Sequence, residues 1–229
     1  MRPSLFARLS AAPAGLRSSC IAMVDAKTVK ALRDETGAGM MDCKKALVDS
    51  DGDMQAATEF LRKKGLASAE KKAGRAALEG IIDTYIHTGS KLGIMVEVNC
   101  ETDFVAKRPE FQELARAVAM QIAACPTVTM VSKDEVADDF IENEKRIESM
   151  SEDLKGKPEQ IVDKIVTGRV EKLLKTKILL DQPYIRDPDM TVDGLVKSYI
   201  AKLGENIKVA RFVRFELGGG VLEEAEAEA

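Results

Sequence analysis

Two short segments of the sequence carry residue types that could bind or act on another molecule. The first covers residues 99–107 and places the carboxylate of Asp103 directly before the ring of Phe104. A phenylalanine beside a carboxylate in a loop can anchor a protein partner, and the alternative is that Phe104 is buried as a core staple. The second segment contains Met40 and Met41, two adjacent bulky side chains that one helix cannot direct into the same core. At least one methionine is then exposed to a partner, unless both fill gaps in a small core.

Other residue types that support catalysis or metal binding form no recognisable site. His87 is the only histidine, which excludes a two-histidine metal site within one chain, and a solvated side chain is its simplest interpretation. The four cysteines include no Cys-x-x-Cys pair. The segment Gly37-Ala38-Gly39 follows a helix and lacks a following Gly-Lys-Ser/Thr, which argues against a phosphate-binding loop. We therefore expect a protein that is not an enzyme and holds no metal or cofactor.

The amino-acid composition limits the kinds of partner that the chain can bind. The chain has 229 residues, of which 45% are hydrophobic and 31% charged, as expected for a globular protein. No segment approaches the roughly 18 uninterrupted apolar residues of a membrane helix, so we expect no membrane association. The net charge is −4. Because nucleic-acid binding requires a basic surface, this acidic balance predicts no direct contact with nucleic acid.

The amino terminus has the composition of an organellar transit peptide. Arg2, Arg8 and Arg17 lie among serines, alanines and leucines, and the first 24 residues contain no acidic side chain. A disordered tail is the alternative, whereas a secretory signal is disfavoured because arginines interrupt the apolar region. We predict that residues 1–23 are a transit peptide. The short segment with three arginines favours the mitochondrion, with the plastid as the alternative.

Helical periodicity predicts a three-helix module over residues 25–66. Apolar residues recur every three or four positions, and the breaks at 36–39 and 49–53 separate the helices. Gly65 is a candidate for the end of the third helix. The alanine- and lysine-rich residues 67–79 then form a helical or flexible linker. The two methionines lie at the start of the second helix.

An α+β core is predicted over residues 80–217. Alternating apolar residues indicate two strands that flank a turn at 88–91, and a third strand covers 207–217. These strands predict a three-stranded antiparallel sheet. The apolar residues expected on one face of the third strand are Ile207, Val209, Val213 and Phe215.

Helices packed against this sheet are predicted from their start and stop signals. Pro109 and Pro158 suit the first turn of a helix, and Thr191 can cap a last helix that ends at Gly204. The charged residues 132–157 between them indicate a solvated helix and loop. The residues expected to point inward from the helix after Pro158 are Ile161, Val162, Ile165, Val166, Leu173 and Leu174. Residues 218–229 are predicted to be an acidic disordered tail.

Three long motifs carry a resemblance to a known family. Residues 32–47 read LRDETGAGMMDCKKAL, residues 96–107 read VEVNCETDFVAK, and residues 203–214 contain LGENI followed by RFVR. These motifs, in this order, closely resemble the translation elongation factor Ts family over about residues 27–217. The resemblance implies a three-helix module of the ubiquitin-associated (UBA) type joined to an α+β core. The chain resembles the short form of the family, which makes a homodimer plausible.

The resemblance also implies a function, guanine-nucleotide exchange on the GTPase elongation factor Tu. In the family, a Thr-Asp-Phe-Val segment enters the GTPase near its Mg²⁺ site, and it matches Thr102, Asp103, Phe104 and Val105. Phe104 is then the inserted side chain, and Asp103 disturbs the phosphate and metal environment. The three-helix module is expected to bind the same GTPase domain through Met40 and Met41. The alternative is a UBA-type interaction adaptor without exchange activity.

Overall fold

The structure, a computed structural model, describes residues 25–154 and 158–218. The predicted transit peptide at 1–23 lies outside these residues, as does the predicted acidic tail after Gly218. The helices within the described residues are α1 (Ala26–Thr36), α2 (Met40–Asp49), α3 (Met54–Lys72), α4 (Asp103–Ala106), α5 (Pro109–Ala124), α6 (Asp138–Ser149), α7 (Glu159–Lys177) and α8 (Val192–Leu203). The strands there are β1 (Glu79–Ile86), β2 (Leu92–Cys100), β3 (Pro183–Tyr184), β4 (Asp187–Thr191) and β5 (Ile207–Glu216). The fold is α+β, as predicted.

The three helices α1 to α3 form the predicted amino-terminal module. Asp25 and Asp53 cap α1 and α3 by accepting hydrogen bonds from backbone N–H groups of the first turn. Gly37 ends α1 with φ 67°, a left-handed conformation that glycine adopts without strain. The module has its own small core, formed by Val29, Leu32, Cys43, Ala46, Leu47, Ala57 and Leu61.

The third helix is longer than predicted. Gly65 does not end α3, which continues to Lys72 and includes the first part of the predicted linker. A Cβ atom at Gly65 would lie 3.1 Å from the Cβ of Ala201 on α8. Gly65 therefore permits close helix packing rather than helix termination, and the prediction of a stop signal there was wrong. Through this contact α3 packs against the core.

The core is built on the predicted three-stranded antiparallel sheet, with the strand order β1-β2-β5. The predicted turn between β1 and β2 contains Gly89 and Ser90, both at positive φ. Helices α5 and α8 pack on one face of the sheet and bury Val96, Val98, Phe111 and further apolar residues. Pro109 begins α5, Thr191 caps α8 and Gly204 ends it, so these signals are confirmed.

A β-bulge changes which residues of β5 face the core. Val98 pairs with Val209, whereas Glu97 pairs with Arg211, so Ala210 is an extra residue in β5. Beyond the bulge the alternation is inverted, and Phe212 packs inward while Val213 and Phe215 are exposed. The prediction that Ile207, Val209, Val213 and Phe215 share one face was therefore wrong.

Two features of the carboxyl-terminal half were not predicted from the sequence. Helices α6 and α7 pack against each other around a small cluster of Leu154, Val166 and Val170. Ile161, which was expected to point inward from α7, is instead exposed. The short strands β3 and β4 form a separate antiparallel hairpin. None of the described helices is long and apolar enough to span a membrane.

Candidate partner-binding site

Residues 102–105, named the Phe104 turn here, follow β2 after one intervening residue, Glu101. Thr102 is the N-cap of α4, and its Oγ1 accepts a hydrogen bond from Val105 N at 3.5 Å. Val105 is buried in the core, which leaves the preceding ring of Phe104 on the outside with 78% of its surface exposed. The structure therefore excludes the alternative that Phe104 is a core staple.

Asp103 presents a carboxylate beside this exposed ring. Its Oδ2 accepts a hydrogen bond from Lys107 Nζ at 2.7 Å, one helical turn later. This bond is the main reason why the pKa of Asp103 is lowered and that of Lys107 is raised. Asp103 is thus ionised at neutral pH, and the turn offers an apolar ring and a negative charge side by side.

A distant glutamate holds the backbone of the Phe104 turn. Thr102 donates two hydrogen bonds to the carboxylate of Glu205, from its backbone N to Oε2 at 3.0 Å and from its Oγ1 to Oε1 at 2.7 Å. The thiol of Cys100 donates to Thr102 O at 3.1 Å. Burial raises the pKa of this thiol, and the negative charge of Glu205 raises it further. Cys100 therefore remains a protonated donor that supports the turn.

Asn206, the residue after Glu205, connects the start of the Phe104 turn to the three-helix module. Asn206 is 1% exposed, and its Nδ2 donates to the carbonyl oxygens of Ala73 at 3.3 Å and Arg75 at 2.7 Å. Its backbone N donates to Glu101 Oε1 at 2.6 Å. These bonds join the end of α3 to the residue that precedes the Phe104 turn.

Met40 and Met41 both lie on the surface of the module. Met41 is 77% exposed and Met40 is 45% exposed, although they begin a helix whose other face is buried. The alternative that both fill gaps in the module core is therefore wrong. Two adjacent, flexible thioether side chains are suited to pack against an apolar partner surface.

An open polar cleft lies between the module and the core. Met40 lines it from the start of α2, and Arg108 lines it from the segment that follows the Phe104 turn. The cleft measures about 550 Å³. The module and the segment that follows the Phe104 turn therefore border a common space.

The remaining candidates for chemistry are not assembled into a site. His87 is exposed and its Nδ1 lies 3.2 Å from the hydroxyl of Tyr85, in agreement with a solvated histidine. Within residues 25–154 and 158–218, no group of three or more His, Cys, Asp or Glu side chains could hold a metal ion. The features described above are an exposed aromatic ring, an ionised carboxylate and two exposed methionines.

Sequence reasoning assigned no role to Glu205 and Asn206, although both belong to one of the quoted motifs. No local pattern connects them with Thr102 or with the end of α3, because these partners are more than 100 residues apart. The one available signal was polar residues directly after a helix-ending glycine, at the entry to a strand.

Comparison with known proteins identifies relatives over most of the chain. Residues 67–221 match the family model described as Elongation factor TS. An elongation factor Ts of Synechococcus elongatus is 60% identical over 208 residues, which cover 91% of this chain and 94% of that protein. A chloroplastic elongation factor Ts of Porphyra purpurea is 59% identical over 197 residues, or 86% of this chain and 90% of that one.

A third relative, an elongation factor Ts of Prochlorococcus marinus, is 60% identical over 198 residues, which cover 86% of this chain and 91% of that protein. These relatives are cyanobacterial or plastid proteins, so they favour a plastid or bacterial origin over the mitochondrion that the amino-terminal composition suggested. With 60% identity along nearly the whole length and three family motifs in order, this chain belongs to the elongation factor Ts family.

Proposed function

We propose that this protein is a guanine-nucleotide exchange factor for elongation factor Tu and acts in translation elongation. The observation that carries the proposal is the Phe104 turn, where an exposed ring and an ionised carboxylate project from a rigidly held backbone. An exposed phenylalanine is costly to present to water unless a partner covers it. Family membership supplies the partner, since these residues match the segment that enters the GTPase.

The proposed mechanism is a competition between protein contacts and nucleotide contacts. A GTPase of this type holds GDP through backbone N–H groups around the phosphates and through Mg²⁺. Insertion of Phe104 displaces elements beside that site, and the carboxylate of Asp103 adds negative charge near the phosphates. Because binding free energies are coupled reciprocally, a factor that weakens GDP is itself weakened by GDP. Release of the factor after nucleotide rebinding then follows from the same coupling.

The three-helix module supplies a second contact with the same GTPase. Met40 and Met41 offer apolar surface but no group that could disturb a metal ion. Because the module is fixed to the core through α3, its binding raises the local concentration of the Phe104 turn at the nucleotide site. The module thus contributes affinity, while the turn contributes GDP release.

The test is stopped-flow release of a fluorescent GDP from bacterial or plastid elongation factor Tu, with and without this protein. We expect release to accelerate with the concentration of the protein and to saturate. Binding without acceleration would support the adaptor function instead, since an adaptor needs only the module. A pull-down of the nucleotide-free GTPase separates this outcome from a failure to bind at all.

We also propose that the protein forms a homodimer through the outer face of its sheet. This sheet face, defined by Ile82, Ile86, Met95, Val213 and Phe215, is apolar and exposed. Met95 and Val213 are directly paired across β2 and β5, so the apolar side chains are contiguous. Two such faces can stack as in a β-sandwich, with the same residues on both copies. Light scattering should give twice the chain mass, and Val213→Lys should give a monomer.

We propose the plastid as the site of action. The cyanobacterial and chloroplastic relatives support it, and the acid-free, arginine-containing residues 1–23 are consistent with import into this organelle. A fusion of residues 1–24 to a fluorescent protein should accumulate in plastids. Accumulation in mitochondria would favour the alternative compartment.

A further inference from the structure

Both hydrogen-bond donors of Thr102, its backbone N–H and its hydroxyl, bind the carboxylate of Glu205 across more than 100 positions of sequence. Hydrogen bonds to an ionised acceptor are roughly twice as strong as neutral ones. Their geometry fixes the backbone N–H and the side-chain hydroxyl of Thr102 together. The direction in which the chain leaves Thr102 is thereby determined.

The Phe104 turn depends on such support because its helix is too short to stabilise itself. Helix α4 contains four residues, and a single turn is unfavourable without tertiary contacts. Its N-cap bond from Val105 N is long, at 3.5 Å. The strongest polar contacts of Thr102 are therefore those with Glu205, and they decide where Phe104 projects.

Glu205 in turn is held on a rigid connection between α8 and β5. Gly204 ends α8 in a left-handed conformation with φ 86°, and Asn206 is buried with its side chain and its backbone N hydrogen bonded. Glu205 thus lies between two fixed residues. It is only partly buried, yet the part that reaches Thr102 has little freedom to move.

We propose that Glu205 is a positioning residue for nucleotide exchange, which acts through Thr102 by holding the Phe104 turn in the geometry that enters the GTPase. The proposal rests on the proposed exchange function. Glu205 itself need not touch the partner, because its carboxylate is occupied by Thr102. Loss of Glu205 allows the ring of Phe104 to sample other directions, so that fewer encounters place it at the nucleotide site.

The experiment compares Glu205→Ala with Glu205→Gln in the full chain, using GDP release from elongation factor Tu at increasing concentrations of each variant. The glutamine can accept from Thr102 N and donate to Thr102 Oγ1, so its maximal release rate should stay within about threefold of the parent. The alanine should lower the maximal rate roughly tenfold. The half-saturating concentration should change less, because the module still binds.

A matched control is Glu135→Ala, which also removes a glutamate that accepts a backbone hydrogen bond, here from Val131 N at 2.8 Å. This bond lies in the segment between α5 and α6 and does not involve the Phe104 turn. Glu135→Ala should keep the parental rate. If it and Glu205→Ala lower the maximal rate equally, or if the glutamine is as impaired as the alanine, Glu205 has a general structural role and the proposal is wrong.

Other outcomes separate this inference from the function on which it rests. A parent protein that fails to accelerate GDP release refutes the exchange function itself. A parent that accelerates release, together with a folded Glu205→Ala variant of equal rate, refutes only the positioning role. If Glu205→Ala does not fold, Glu205→Asp tests the same bonds, because its carboxylate is one methylene shorter and reaches less far toward the two donors of Thr102. This variant should also lower the maximal rate, and a parental rate would overturn the inference.

Discussion

Replacement of Phe104 by alanine should separate binding energy from stability more cleanly than any other change in this protein. The ring is 78% exposed, so its removal takes almost nothing from the core. Substitutions at such surface positions usually change the free energy of unfolding by less than about 0.5 kcal/mol. Thermal unfolding of Phe104→Ala should therefore match the parent within about 2 °C.

The effect on exchange follows from the surface that the ring can bury in a partner. A phenylalanine buries about 150 Å² or more in an interface, and at roughly 25 cal/mol per Å² this surface sets an upper bound near 4 kcal/mol. Truncations of central interface residues typically cost about 2 kcal/mol or more. We expect the exchange efficiency to fall roughly ten- to a hundredfold, at 1.4 kcal/mol for each factor of ten.

The assay is stopped-flow release of fluorescent GDP, with the efficiency taken from the initial slope of rate against factor concentration. Met150→Ala is a matched control, because Met150 is another largely exposed apolar side chain, located at the end of α6. It should behave as the parent does. A folded Phe104→Ala variant with the parental slope would refute the insertion of this ring into the GTPase.

Three further predictions concern the module, the charge of the turn and the backbone of the sheet. Met41→Asp should raise the half-saturating concentration roughly tenfold and leave the maximal GDP release rate unchanged, because an exposed contact is lost while the Phe104 turn is intact. A lower maximal rate in the same titration would contradict a pure binding role. Lys107→Ala should move the pKa of Asp103 in an NMR titration upward, toward the ordinary value of about 3.9, because the hydrogen bond that chiefly lowers it is removed. The pKa of Asp103 is lower in the folded chain than in the unfolded chain. The pair of Asp103 and Lys107 therefore stabilises the fold at pH values above the unfolded pKa, and this stabilisation is lost as the pH falls through the folded pKa. No loss of stability due to Asp103 is expected near neutral pH. Gly80→Ala should destabilise the fold by about 2 kcal/mol or more in chemical denaturation, because the new Cβ would clash with the carbonyl oxygen of Val98. An unchanged denaturation midpoint would show that β1 shifts at little cost.

Much of the candidate site was predictable because the type and local spacing of its residues identify them. Phe104 beside Asp103 after a strand, and two methionines at the start of a helix, were identified from residue type and spacing alone. What the sequence left open was their exposure. Whether a phenylalanine or a methionine is buried depends on what other elements pack nearby, and this information lies outside any short window of sequence.

By itself the sequence determined the elements that depend on nearby residues. The caps of α1, α3 and α8, the β1–β2 hairpin and the proline at the start of α5 are encoded within a few positions, because backbone hydrogen bonds at helix ends and in turns join residues two to five apart.

Only the tertiary structure decided how these elements meet. The bulge at Ala210 turns Val213 and Phe215 outward, because the register of β5 is set by its pairing with β2 rather than by its own alternation. Gly65 lies within α3, where it lets α8 pack closely instead of ending the helix. Glu205 reaches Thr102 across more than 100 residues. Contacts of this range leave no periodic trace in the sequence, since each depends on the simultaneous placement of two distant segments.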